Sequence, residues 1–155
     1  MTIVTMTISL LGLMITAVNV WTQAERQVGN LYDQMVRYRT EHPEVMYLSR
    51  KWQADCFYKI YNQTNEHDKS WVIYYSYSEL CIGYCNAVLS SRWRLPPGSY
   101  RNQHQPLVKL TLTEHNIIIE QLVRGDYISG QVKRFRLKLR KEGWDWQEEH
   151  RKIAM

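Results

Sequence analysis

The sequence predicts an all-α protein in which an N-terminal transmembrane helix continues into a stalk and is followed by a small antiparallel helical bundle. Two observations predict this fold. Residues 3–21 form an uncharged apolar run, and apolar residues recur at helical spacing along most of the remaining chain. At 155 residues the chain has room for one domain and an anchor. We therefore divide it into an anchor (1–22), a helical stalk (23–42) and a basic cytoplasmic domain (43–155).

The apolar run is the candidate membrane span. Its nineteen residues carry no charge, and at the rise of an α-helix they extend roughly 28 Å, about the thickness of the hydrocarbon core of a bilayer. Hydroxyl groups within the run can bond back to the helix backbone, which makes them tolerable in lipid. The residues assigned to the span include Ile3, Val4, Ile8, Leu10, Leu11, Leu13, Met14, Ile15, Val18 and Trp21.

Two other interpretations of the run stay open. A cleaved signal peptide is disfavoured because no Lys or Arg precedes the run and no clear small-x-small cleavage site follows it. A buried core helix is disfavoured because such helices rarely continue so far without a charge or a polar face. The basic residues that follow the run, and have no counterpart before it, predict an outside N-terminus and a cytoplasmic domain; they are Arg26, Arg37, Arg39, Arg50 and Lys51.

The stalk is predicted to continue the same helix as far as His42-Pro43, because a residue that precedes proline avoids helical geometry. A seam of apolar residues with coiled-coil spacing runs along this helix, namely Ala17, Trp21, Ala24, Val28, Leu31, Met35 and Tyr38. Either later helices of the same chain cover the seam, or another subunit does. In the second case the stalk interface consists of Ala24, Val28, Leu31, Met35 and Tyr38.

The segments after the stalk predict helices joined by polar connections. Helices are expected over residues 44–65 and, rich in tyrosine, from Ser70 to Arg92. Residues 95–106 (LPPGSYRNQHQP) are the clearest predicted loop. Residues 107–124 are amphipathic and predicted to be helical, although the stretch LVKLTLT alternates as a strand does.

The last predicted helix begins after Ser129, which is expected to cap it, and ends at Gly143. Its inward residues are Val132, Phe135 and Leu139. Around them lie six cations within nine residues: Lys133, Arg134, Arg136, Lys138, Arg140 and Lys141. A basic amphipathic helix near a membrane anchor predicts binding to anionic lipid, with about 1 kcal/mol for each cation near the surface. An acidic protein partner and a solvated helix face are the other interpretations, and a nucleic-acid partner is not expected for a tethered domain of moderate basicity.

No motif in the sequence has the spacing of a catalytic or cofactor site. Glu-x-x-His, His-Glu-x-x-His and the phosphate-binding and dinucleotide glycine loops are all absent. The three cysteines lack the second pair that a zinc site needs, and we interpret them as buried thiols. We therefore predict no cofactor, no metal ligand and no catalytic residue. One alternative stays open, an aromatic-lined ligand pocket in a membrane-tethered sensor or enzyme, formed by Tyr74, Tyr75, Tyr77, Glu79 and Cys81.

The order of span, charged stalk, His42-Pro43-Glu44 and tyrosine-rich helices resembles that of bacterial single-span membrane proteins with a small helical cytoplasmic domain. The resemblance concerns the arrangement rather than a motif, and it implies no activity. The general character of the sequence favours a bacterial inner or thylakoid membrane. Because Tyr and Trp are typical of interfaces, we expect a non-catalytic accessory or scaffold subunit that docks onto other membrane-complex subunits or self-associates through its stalk.

Overall fold

The computed structural model describes residues 3–46, 70–116, 118–120 and 128–144. Within these residues the chain forms only helices and turns, which confirms the predicted all-α class. The helices are α1 (Ile3–Glu41), α2 (Ser70–Ser91), α3 (Gln105–Glu114) and α4 (Gly130–Lys141), with a 3-10 turn at Pro43–Met46 and a π-helical turn at Tyr100–His104.

Helix α1 is one continuous helix of 39 residues, and it ends at Glu41, immediately before His42-Pro43, as the sequence predicts. The backbone N–H of His42 donates to the carbonyl of Tyr38 at 2.9 Å and closes the final turn. Residues 3–21, which we call the apolar segment, and the stalk therefore form a single rod. The part of this rod beyond Trp21 extends about 30 Å.

Helices α1, α2 and α3 pack as antiparallel neighbours. The Tyr38 hydroxyl of α1 donates to the carbonyl of Ile73 near the start of α2, whereas Tyr32 contacts the ring of Tyr84 further along α2. Tyr84 in turn contacts His104, just before α3, and Tyr74 contacts His115, just after it. Two ends of the bundle follow from these contacts. The anchor end carries residues 25, 99 and 104, and the distal end carries residues 38, 74 and 115.

The predicted loop over residues 95–106 is wrong in its second half. The chain turns over residues 92–98, where Gly98 adopts a φ of 84° that favours glycine, and the helical turn at Tyr100–His104 then leads directly into α3. Pro106 is tolerated because it lies in the first turn of α3, where its missing N–H removes no intrahelical hydrogen bond. Arg101, Asn102 and Gln103, which suggested a loop, form the exposed side of this helical turn, whereas His104 is buried.

The remaining helices follow the sequence closely. The stretch LVKLTLT lies in α3, so its strand interpretation is wrong, and Val108 and Leu112 are completely buried at helical spacing. Helix α4 begins after Ser129 and is followed by Gly143, whose φ is 80°. The Ser129 hydroxyl makes no cap hydrogen bond and instead donates to the side-chain carbonyl of Asn86. The predicted helix over residues 44–65 lies outside the described residues apart from the turn at Pro43–Met46.

Three inward residues of α4 are buried, as predicted, and they join α2 and α3 in a shared core. The buried hydrophobic side chains of the described residues come from every helix: Ala24, Val28, Met35, Val45, Tyr74, Tyr77, Cys81, Ile82, Tyr84, Cys85, Val88, Leu89, Leu95, Val108, Leu112, Ile118, Ile119, Ile128, Val132, Phe135 and Leu139. The stalk half of α1 is therefore one of the core helices of the domain and not a separate element.

Candidate functional site

The candidate site is the junction at which the apolar segment of α1 enters the bundle. In the apolar segment the large hydrophobic side chains from Met6 to Val20 are between 40 % and 71 % exposed. Only one turn later Ala24 is 5 % exposed, and Val28 is completely buried. Helix α1 is long and apolar enough to span a membrane, and none of its most apolar part is buried against the described residues. The side chains of Ile3 and Val4 lie outside the described part.

The predicted seam is the side of α1 that faces the bundle. Ala24, Val28 and Met35 are buried, and the other four seam residues are partly buried. Tyr38 closes the seam at the distal end, where its ring stacks on that of Tyr77 in α2 with 6.0 Å between the ring centres. The chain's own helix α2 therefore covers the seam, in agreement with the first of the two interpretations of this pattern.

A polar network fastens the anchor end of the bundle to α1. The Ser99 hydroxyl lies 3.0 and 3.2 Å from the two carboxylate oxygens of Glu25, and His104 Nε2 lies 3.3 Å from one of them. On the other side of the ring, His104 Nδ1 lies 3.2 Å from the Tyr84 hydroxyl. The network thus links α1, the segment before α3 and α2 at one level of the bundle.

The His104 ring lies between the Tyr84 hydroxyl and the Glu25 carboxylate. Burial raises the pKa of Tyr84 well above its usual value, so its hydroxyl stays protonated and forms a hydrogen bond with His104 Nδ1. The other ring nitrogen, Nε2, faces the Glu25 carboxylate. Both ring nitrogens are occupied, an arrangement that fixes the ring in place and leaves neither nitrogen open to a substrate.

We expect Tyr84→Phe to lower the free energy of unfolding by about 1–3 kcal/mol, because the buried Nδ1 of His104 loses its hydrogen-bond partner. Tyr32→Phe is a matched control, since the Tyr32 ring packs against Tyr84 but is 39 % exposed. Circular dichroism melting of both variants in mild detergent measures the difference. Equal melting temperatures for the two variants would show that the hydrogen bond to His104 contributes nothing.

A second tyrosine–histidine pair lies at the distal end. The Tyr74 hydroxyl is 3.2 Å from His115 Nδ1, and the edge of the His115 ring meets the Tyr77 ring at 78° with 5.3 Å between the centres. Residues 74 and 84 of α2 thus pair with residues 115 and 104, one pair at each end of α3. Neither pair has a local signal in the sequence, because the partners are 41 and 20 residues apart.

The five residues of the hypothetical ligand pocket do not converge. Tyr74, Tyr77 and Cys81 face inward and are 0–2 % exposed. Tyr75 is partly buried, and Glu79 is exposed on the opposite side of α2. The inward rings of Tyr74 and Tyr77 pack against other side chains, Tyr74 against His115 and Tyr77 against Tyr38.

The cysteine thiols have the character expected of core residues. Cys81 and Cys85 are both free thiols and are completely buried. Burial raises the pKa of Cys81 to about 12 and that of Cys85 well above its usual value, so both thiols stay protonated and poorly nucleophilic. Cys56 lies outside the described residues. Within the described part, no group of three or more His, Cys, Asp or Glu side chains is arranged to hold a metal ion.

The six cations predicted to bind an anionic surface are partly engaged within the chain. Arg136 is 6 % exposed and donates to the side-chain carbonyl of Asn116 at 2.7 Å, and burial lowers the pKa of its guanidinium. Arg140 pairs with Glu120 at 3.7 Å, and Lys138 pairs with Glu142 at 3.6 Å. Arg134 donates to the carbonyl of Gly130. Lys133 is partly buried, and Lys141 is exposed.

These contacts place the C-terminal half of α4 towards the distal end of the bundle. Asn116, the partner of Arg136, follows directly on His115, which marks that end. Trp144 likewise donates to the Thr113 hydroxyl, two residues before His115.

A surface that the sequence interpretation missed lies at the anchor end. Trp93 is 82 % exposed, whereas the large hydrophobic side chains of the apolar segment are at most 71 % exposed. The guanidinium of Arg92 lies 4.9 Å from the centre of the Trp93 ring. Arg94 is exposed beside it. The sequence contains this surface as Arg-Trp-Arg shortly before a Pro-Pro-Gly turn. Only the folded chain shows that these residues lie next to the junction.

Comparison of the chain with models of known protein families, with curated proteins and with solved structures finds no match.

Proposed function

We propose that this protein is a non-catalytic, membrane-anchored accessory subunit that docks onto a larger membrane protein complex. The observation that carries the proposal is that α1 is both an exposed apolar helix and a core helix of the bundle. Because the two halves are continuous, the bundle is held at a fixed distance and rotation relative to whatever surrounds residues 3–21. A rigid mount of this kind suits a subunit that presents a surface to neighbours in the membrane.

The continuity of α1 also favours a retained anchor over a cleaved signal peptide. Cleavage near Trp21 would fall within an unbroken helix, two turns before the completely buried Val28. It would free a new helix end just before the core residues Ala24 and Val28, and cost the hydrogen bonds that span the cut.

Charge after the apolar segment favours a cytoplasmic bundle. Arg26, Arg37 and Arg39 follow the apolar segment within 18 residues. Arg26 and Arg37 are exposed. Since basic residues close to a span are retained on the cytoplasmic side, we place the bundle in the cytoplasm of a bacterial cell, under the inner or thylakoid membrane.

The docking surface that we propose is an outer stripe on the stalk, formed by Gly29, Tyr32 and Val36. Tyr32 is 39 % and Val36 is 43 % exposed, and the space around the Cα of Gly29 is open. Their spacing of three and four residues puts them on one side of α1. Because the stripe belongs to the same helix as the apolar segment, it suits a partner that itself has a transmembrane helix and a cytoplasmic extension.

Blue-native electrophoresis of gently solubilised membranes tests this function. We expect the protein to migrate in a complex larger than its monomer, and Val36→Asp to release it by placing a charge in an apolar contact. Val72→Asp is the matched control, because Val72 is 42 % exposed on α2. Migration of the unaltered protein as a lone monomer would contradict the proposal. Co-purification of two differently tagged copies, with no other protein, would indicate self-association instead.

A further inference from the structure

The turn between α2 and α3 lies beside the junction. Ser99, at the end of this turn, donates to Glu25, which is four residues past Trp21 on α1. Four residues advance a helix by about 6 Å. The turn therefore lies at nearly the same level as the end of the apolar segment, on the face of the bundle that a bilayer around residues 3–21 would meet.

The turn is held in one shape by its own contacts. The carbonyl of Ser91 accepts from the backbone N–H groups of Arg94 and Leu95 at 2.6 and 3.1 Å, and Ser99 N–H donates to the carbonyl of Pro96 at 3.0 Å. Leu95 is 4 % exposed and fixes the turn to the core. With Leu95 held inward, the preceding Trp93 is left outside the bundle with 82 % of its surface exposed.

A large exposed indole between two arginines has the chemistry of a membrane-interface anchor. Tryptophan favours the headgroup region because its ring is apolar and its N–H needs a polar partner. Arginine near an anionic leaflet gains about 1 kcal/mol per charge. The nearby carboxylate of Glu25 does not oppose this attraction fully, because it already accepts hydrogen bonds from Ser99 and faces His104.

We propose that Arg92, Trp93 and Arg94 form a second membrane contact, in which the indole inserts among the anionic lipid headgroups of the leaflet from which α1 emerges. This inference rests on the proposed placement of residues 3–21 in a bilayer. The contact would give the domain two points of attachment, the axis of α1 and this turn. Together they fix the tilt of the bundle, and with it the direction in which the outer stripe faces.

Tryptophan quenching in vesicles tests the contact. The full-length protein is reconstituted into vesicles of phosphatidylcholine with a minority of phosphatidylglycerol, in which a fraction of the phosphatidylcholine is brominated near the headgroup end of its acyl chains. We expect Trp93→Phe to lower the quenched fraction of the emission, since one of the six tryptophans leaves the interface. Trp144→Phe is the control. Trp144 lies near the distal end, so its loss should raise the quenched fraction.

A charge-reversed variant, Arg92→Glu with Arg94→Glu, tests the choice of lipid. We expect it to lower the quenched fraction towards that of Trp93→Phe in the vesicles that contain phosphatidylglycerol, and to have a smaller effect in vesicles of phosphatidylcholine alone. An unchanged or raised quenched fraction in Trp93→Phe would overturn the proposal.

Resistance to carbonate extraction separates the two proposals. If every variant resists carbonate extraction and Trp93→Phe leaves the quenched fraction unchanged, the second contact alone is overturned. Release of the unaltered protein would overturn the anchor and the second contact together.

Discussion

Replacement of Val28 by Asp is expected to separate α1 from the bundle. Val28 is completely buried against α2, so the new carboxylate would lie in the core without a partner. Burial of an unpaired charge is among the most destabilising single changes, and we expect a loss of roughly 3–5 kcal/mol in the free energy of unfolding. Helix α1 would remain in the membrane, because the apolar segment is unchanged.

Val36→Asp provides the matched comparison for this loss. It makes the same substitution two turns further along the same helix, at a side chain that is 43 % exposed, and it should change stability by less than about 0.5 kcal/mol. Thermal melting in mild detergent, together with limited proteolysis of α2, measures both variants. Similar melting temperatures for the two would mean that the seam does not hold α1 to the bundle.

Leu13→Arg is expected to release the chain from membranes. Leu13 lies near the middle of the apolar segment and is 71 % exposed, so an arginine there would face the hydrocarbon core. An arginine at the centre of a span costs about 2.5–3.5 kcal/mol on insertion scales. The segment tolerates little of this cost, because its hydroxyl residues and Asn19 already make it only moderately apolar.

The control for this prediction is Leu137→Arg, which makes the same change at a side chain that is 56 % exposed on α4. Carbonate extraction followed by sedimentation separates integral from soluble protein. We expect the Leu137 variant in the pellet and a large part of the Leu13 variant in the supernatant. Retention of both variants in the pellet would argue that residues 3–21 are not what holds the protein to the membrane.

The sequence was sufficient to predict α1 because a single pattern, apolar residues at spacings of three and four, continues from the apolar segment to Tyr38. The same pattern identified the buried residues of α4. It failed over residues 99–106, where polar residues and Pro106 suggested a loop. Proline in the first turn of a helix and polar residues on its exposed side are both compatible with helix, and only packing against the neighbouring helices decides between the two.

The junction itself could not be predicted from sequence. Glu25 and His104 are 79 residues apart, and nothing local to either indicates the other. The exposure of Trp93 depends in the same way on Leu95, which holds the turn against the core and leaves the indole outside. The sequence supplies the residue types, but the antiparallel arrangement of α1, α2 and α3 brings them to one end of the bundle.

The central proposal is that one helix is shared between a bilayer and the core of the bundle. Hydrogen exchange of the full-length protein in lipid nanodiscs tests it most directly, with the unaltered protein and Val28→Asp compared. We predict slow exchange over residues 6–20 in both proteins, and slow exchange over residues 24–38 and α2 together in the unaltered protein only. Rapid exchange over residues 6–20 in the nanodisc, or protection of residues 24–38 that survives Val28→Asp, would contradict the claim.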